Sequence, residues 1–140
     1  MKNCCEKLRP YAALFLRIGL GCVFTYHGFH KIFDSGMAFG TSWNPGGMST
    51  IVQALVAWGE FLCGLGALLG FLTPLAAVGI IIIMGGAIVT VTGKNGFNMM
   101  NSGFEYNLVL IMMSLALLVT GSGPMALDNK CGCCCKGDNS

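Results

Sequence analysis

The stretch LAAVGIIIIMGGAIVTVT, Leu75 to Thr92, carries neither a charged side chain nor an amide. Its length is close to the roughly 20 residues that a helix needs to cross a bilayer core. Three further runs, predominantly apolar, lie near Tyr11–Phe33, Ile51–Leu72 and Phe104–Thr120. In hydrocarbon no water meets a backbone amide, so each run must satisfy its own N–H and C=O groups by coiling into a helix. No stretch alternates polar and apolar residues for long enough to make a barrel strand. The expected fold class is therefore all-α, a four-helix transmembrane bundle. Composition agrees, with 54% hydrophobic and 10% charged residues, against about a quarter charged in an average soluble domain. That balance excludes a soluble catalytic domain, and a net charge of +2 gives no footing for nucleic acid.

Lys2, Lys7 and Arg9 precede the first run, as in a secretory leader. The run is too long for a leader's apolar region, and Arg17 interrupts it, so a retained helix is expected. An even number of helices puts both termini on one side. Lys2, Lys7, Arg9, Lys130 and Lys136 gather there, whereas the opposite loops hold Lys94, with Lys31 at a helix end. The excess of basic residues places the termini in the cytoplasm. Three segments follow: a basic, Cys-bearing tail at 1–10, the bundle at 11–122, and a Cys-rich tail at 123–140. The Leu72-Thr73-Pro74 turn is tight enough to make the second and third helices antiparallel neighbours, and Pro74 suits the first turn of a helix. The 21 glycines are expected mainly to let helices approach closely in lipid. Gly79, Gly86 and Gly93 form one stripe on the third helix, and Gln53, Gly64 and Ala67 share the face of the second that carries Glu60.

Arg17 and Glu60 fall inside apolar spans, where an ionised group costs about 2.5–3.5 kcal/mol and must find a partner. At 100° per residue, Arg17, His27 and Lys31 lie within roughly 80° of one another on the first helix. At a rise of 1.5 Å per residue, Arg17 sits about 9 Å and Glu60 about 18 Å from the terminal side. Two clusters are therefore expected: Arg17 with Glu60 near the middle, and His27, Lys31 and Glu105 near the opposite face. Such charges either hold helix register or form a proton-handling or quinone site. Trp58, Phe61 and Phe24 are candidates for its apolar wall. A haem held by two histidines of one chain is excluded, because His27 and His30 stand on the same helix.

Six of the eight cysteines lie in the tails, at Cys4, Cys5, Cys131, Cys133, Cys134 and Cys135. Thiols stay reduced in the cytoplasm, and soft thiolates favour Zn²⁺, Cu(I) or iron–sulfur clusters. These six are candidate metal ligands, although adjacent cysteines chelate one tetrahedral ion awkwardly. Cys22 and Cys63 read as small packing residues.

The run LRIGLGCVFTYHGFHKIF, Leu16 to Phe33, resembles the first helix of the DoxX family. WGEFLCGLGALLGFLTP, Trp58 to Pro74, resembles its second helix, and FEYNLVLI (104–111) with GSGPMALD (121–128) resemble the two ends of its fourth. The likeness covers residues 12 to 128. It implies a small four-helix protein of the bacterial inner membrane. Some members are quinone-linked oxidoreductase subunits, including the large subunit of thiosulfate:quinone oxidoreductase, and others associate with soluble redox or sulfur-handling proteins. Arg17, His27, Gly28, Lys31, Glu60, Glu105 and Tyr106 match the family's recurrent polar positions. The cysteine-rich tails depart from its pattern.

The expected function is a membrane subunit of a redox system, exchanging electrons with quinone and oxidising sulfur or thiols with a partner. Glu60 and His27 would handle protons, Arg17 and Lys31 would face the reduced oxygen, Glu105 would complete the cluster, and Trp58, Phe24 and Tyr106 would hold the ring. The partner would be a soluble redox protein or a larger membrane complex. Two rivals belong to other classes: a non-catalytic assembly subunit, and a thiol-dependent carrier of metals or metalloids. Such carriers usually pair cysteines within the first helix, where this chain has Cys22 alone.

Overall fold

The computed structural model describes residues 8–34, 39–44 and 47–131. Helix α1 (Ala12–Phe33) follows a short 3-10 turn, and α2 (Thr50–Leu69) returns antiparallel to it. Helix α3 (Thr73–Ala87) continues through a π-turn at Ile88–Thr92 and a 3-10 turn at Gly93–Asn95, and α4 (Glu105–Thr120) completes the bundle. A short α5 (Asp128–Cys131) follows, and no strand occurs among the described residues. Spans Arg9–Phe33, Thr50–Leu69 and Thr73–Asn95 are long and apolar enough to cross a membrane. With 16 residues, α4 is shorter and rises about 24 Å. The protein is a multi-pass membrane bundle of four helices.

Local chemistry sets the helix ends. The Ser49 hydroxyl accepts the Val52 amide at the start of α2, the usual service of a serine N-cap. At its other end Gly70 adopts φ 68°, and the Phe71 amide turns back to the Gly66 carbonyl at 2.9 Å. A side chain is costly in that left-handed conformation, so glycine ends the helix there. Pro74 lies in the first turn of α3, where its missing N–H would have had no partner.

Helix α1 lies closest to α2, and glycine makes the approach possible. A Cβ at Gly21 would come within 2.8 Å of the Leu68 backbone. Gly28 abuts the Phe61 backbone, and Gly64 that of Thr25, just as tightly. Close backbone contact of this kind replaces the hydrophobic drive that lipid does not supply. The third-helix stripe does not behave as its spacing suggests. Gly79 packs on the Cys63 sulfur, but a Cβ on Gly86 would meet nothing within 4 Å, and one on Gly93 would meet the Ile88 carbonyl of its own helix. Gly86 borders a cavity instead.

The three α1–α2 contacts pair residues 21 with 68, 25 with 64, and 28 with 61, and so fix the stagger of the two helices. Continued along both helices, that stagger sets Glu60 level with residue 29. It sets Arg17 opposite residue 72, beyond the end of α2. The expected Arg17–Glu60 pair is thus wrong. Depths counted from the terminal side bring the two residues within reach, but the glycine contacts slide one helix along the other. Leu20, Phe24, Ala77, Ile80, Leu110 and Leu117 form the core between the four helices.

Candidate functional site

Two polar centres occupy opposite ends of the bundle. At the end bearing the termini, Arg17 is 2% exposed and donates to four backbone carbonyls. Its Nε meets Ala67 O at 3.0 Å and its Nη2 meets Leu68 O at 3.1 Å. Its Nη1 meets Ser122 O at 3.1 Å and Pro124 O at 3.4 Å. Ala67 and Leu68 belong to the last turn of α2, where carbonyls run short of partners; Ala67 O also accepts the Gly70 amide at 3.2 Å. A cation also suits the negative end of the helix dipole. Arg17 therefore stitches α1, the end of α2 and the 122–124 segment together.

Asp128 completes this clasp. Its carboxylate accepts the Leu72 amide at 2.7 Å, the Thr73 amide at 2.9 Å and the Ser122 hydroxyl at 2.9 Å. Leu72 has φ 49°, a conformation uncommon for a branched residue, and the carboxylate holds that turn. The Asp128 and Leu127 amides return to Gly70 O and Leu69 O. The fold accordingly continues past residue 122. Burial pushes the Asp128 carboxyl up, but the Thr73 amide, the Ser122 hydroxyl and the Leu72 amide outweigh it and leave the group below its ordinary value of 3.8. A carboxylate that is more acidic when folded stabilises the fold above 3.8, and that contribution disappears as the pH falls through the lower folded value. Thermal melts in detergent between pH 5 and pH 3 should show this loss, and Asp128→Asn should flatten that part of the profile. Equal slopes for both proteins would remove Asp128 as the cause.

At the opposite end Lys31 Nζ lies 2.7 Å from each oxygen of Glu60. The Glu60 side chain is 4% exposed and that of Lys31 23%. The Trp43 ring covers the ammonium, its centroid 4.4 Å away. Trp43 is held by its indole N–H, which donates to Gln53 O at 3.0 Å. The buried Gln53 side chain accepts the Asn44 amide and donates to the Asn44 and Met48 carbonyls. The loop between α1 and α2 is thereby folded over the ion pair.

The pair faces a cavity of about 800 Å³ bounded by all four helices and by Trp43. Phe24, His27 and Lys31 come from α1, Glu60 and Cys63 from α2, and Tyr106 and Asn107 from α4. Among the residues singled out from sequence, Glu60, Lys31, His27, Phe24 and Tyr106 meet here. Three do not. Arg17 is at the other end, and Trp58 lies outside the cavity, where its indole N–H donates to Phe39 O at 3.2 Å. Glu105 starts α4 outside the lining and, among the described residues, joins no ion pair with His27 or Lys31. His30 turns to Asp34 on its own helix. Trp43 and Asn107 were missed, since a tryptophan in a Gly/Ser/Asn-rich loop carries no periodic signal. Asp128 entered only as part of a motif.

Cys4, Cys5, Cys133, Cys134 and Cys135 lie outside the described residues, and Cys131 is placed only as the last backbone position of α5. No group of three or more His, Cys, Asp or Glu able to hold a metal occurs among the described residues. Cys63 packs as expected, on Gly79, whereas Cys22 is exposed on the outer surface of α1.

The model of the DoxX family matches residues 12–93, well over half of the chain. The chain belongs to the DoxX family. The matched span of this DoxX protein contains Lys31, Trp43 and Glu60, whereas α4 and the Asp128 clasp lie beyond it. The chain is also 35% identical over 120 residues to a Bacillus subtilis (strain 168) protein named "Putative oxidoreductase CatD", covering 82% of this chain and 83% of that one. No solved structure matches it.

Proposed function

We propose that this DoxX protein is the membrane subunit of a redox system, exchanging electrons and protons with quinone in the bilayer while a partner handles the second substrate. The observation that carries this reading is the Lys31–Glu60 pair, set in the wall of a largely apolar cavity. The family membership and the oxidoreductase name of the Bacillus relative support the same class. About 800 Å³ falls within the roughly 300–1,000 Å³ of sites that enclose small organic ligands. Phe24 and Trp43 offer ring faces, while His27, Lys31 and Tyr106 offer polar atoms in the same cavity. These residues fit a quinone ring with its two oxygens.

When bound, a quinone supplies a lipid-soluble carrier of two electrons and two protons. The chain's own residues would bind the ring and manage the protons. The Lys31 ammonium offers positive charge toward an oxygen that gains electron density. The Glu60 carboxylate meets that ammonium with both oxygens, which sets an acceptor beside the same end of the ring. His27, exposed at the cavity, is placed to pass a proton onward. Sulfur or thiol oxidation would belong to a soluble redox or sulfur-handling partner, with the cysteine tails as a contact or metal-binding element. In this reading the tails, with the basic residues beside them, face the cytoplasm from a bacterial inner membrane.

The test is anaerobic purification in mild detergent, with quinone extraction, metal analysis and mass spectrometry of copurifying proteins. Kinetics of Glu60→Gln and His27→Ala follow. Glu60→Gln keeps shape but not charge, and should lower quinone turnover by roughly a hundredfold, the scale of one lost proton-transfer group. Full turnover in both variants would mean that the cavity residues do no proton chemistry.

A further inference from the structure

We infer that the ligand of this cavity is a chain-bearing molecule dissolved in the bilayer, and that it enters sideways between α2 and α3. The inference rests on the quinone reading and states which quinones the site takes and by what route. Helices α2 and α3 are joined at one end by the Gly70–Thr73 turn, and Cys63 against Gly79, then Ile83 against Gly59, hold them in contact as far as the middle of the bundle. Both helices also line the cavity, α2 through Val52, Leu55 and Val56 and α3 through Ile82 and Gly86. Leu55 and Ile82 are each 68% exposed on the outer surface, so the cavity reaches that surface between them. Gly86 keeps the gap open, with no atom within 4 Å of where its Cβ would stand.

Depth decides what lies outside the gap. Leu55 and Gly86 stand about 20 Å along their helices from the turn. They lie inside a hydrocarbon layer of about 30 Å. The opening therefore faces lipid tails, and a molecule must dissolve there to use it. Volume points the same way. A cavity of about 150 Å³ accommodates a benzene ring, and this one is about 800 Å³. A ring against Lys31 and Glu60 leaves most of the space to something else, and the walls of that space are apolar. A hydrocarbon chain running from the ion pair past Leu55, Ile82 and Gly86 into the bilayer fills it.

The probes are a decyl-substituted benzoquinone and the same ring with methyl in place of decyl. Their binding would be measured in nanodiscs of phosphatidylcholine and phosphatidylglycerol, for the unsubstituted protein, Gly86→Phe and Val119→Phe. The last adds a phenyl group to the lipid-facing surface of α4, where Val119 is 89% exposed. Gly86→Phe should weaken the decyl compound by at least about tenfold, since the chain loses its apolar contacts, and leave the methyl compound nearly unchanged. Val119→Phe should alter neither. Equal effects of Gly86→Phe on both compounds, or none on the decyl compound, overturn the sideways route while leaving quinone binding intact. Binding of neither compound to the unsubstituted protein overturns the quinone reading itself. A diazirine at the chain end gives a second readout that needs no substitution. Label on α2 and α3 around Leu55 and Ile82 supports the route, and label confined to α1 and α4 overturns it.

Discussion

Lys31→Met will destabilise the protein by about 3–5 kcal/mol, the usual cost of removing one partner from a buried ion pair. Glu60 is left 4% exposed in its side chain, without the ammonium that now meets both its oxygens at 2.7 Å. A polar group buried without its partner carries a large desolvation cost. Thermal and denaturant melts in one detergent measure the loss. Adding Glu60→Gln to Lys31→Met removes the orphaned charge, so the double variant should recover most of the stability. Replacement of a whole buried pair is often close to neutral. Quinone binding and turnover divide the two roles of the pair. A double variant that folds normally but has lost both has kept the architecture and lost the chemistry. Recovery of stability and turnover together would make the pair a fastening between α1 and α2, and the protein a non-catalytic assembly subunit.

The second large effect belongs to Arg17. Arg17→Met keeps much of the stem volume but takes the guanidinium from four carbonyls, of which Ala67 O retains the Gly70 amide. Hydrogen bonds to a charged group contribute about 1.5–3 kcal/mol each, and other donors recapture part of that, so a loss of about 4 kcal/mol is expected. Lysine offers a single ammonium in place of a planar fork and cannot reach both the α2 end and the 122–124 segment. Arg17→Lys should therefore regain only about half of the loss. Quinone affinity of the folded Arg17→Lys protein should match that of the unsubstituted one, because Arg17 has no part in the cavity lining. A stable Arg17→Lys variant that no longer binds quinone would return Arg17 to the candidate site. Glycine guards the same clasp. A Cβ at Gly70 would run into the guanidinium and into Ala126, so Gly70→Ala should lose stability in parallel with Arg17→Met.

Much of the bundle is legible in the chain because the membrane imposes it. Apolar runs near 20 residues have one way to satisfy their backbones, and from that come the helices, their order and the shared end of the termini. The helical period also identifies one buried face of α2, with Gln53, Glu60, Gly64 and Ala67 all buried. It places Lys31, His27 and Phe24 on the side of α1 that meets the cavity. Periodicity describes directions around one axis. It contains nothing about how far one helix slides along another, and that offset selects the partner of each charge. Gly21, Gly28 and Gly64 set the offset through backbone contacts that only neighbouring helices can make. The same three contacts give Glu60 to Lys31 and carry Arg17 to the end of α2. Trp43 and Asp128 likewise acquire their roles from chain segments distant in sequence, since Gln53 anchors one and the Leu72–Thr73 turn the other. Hydrocarbon solvation thus determined the helices from the sequence alone, and only tertiary contact between small residues decided which of their polar groups would meet.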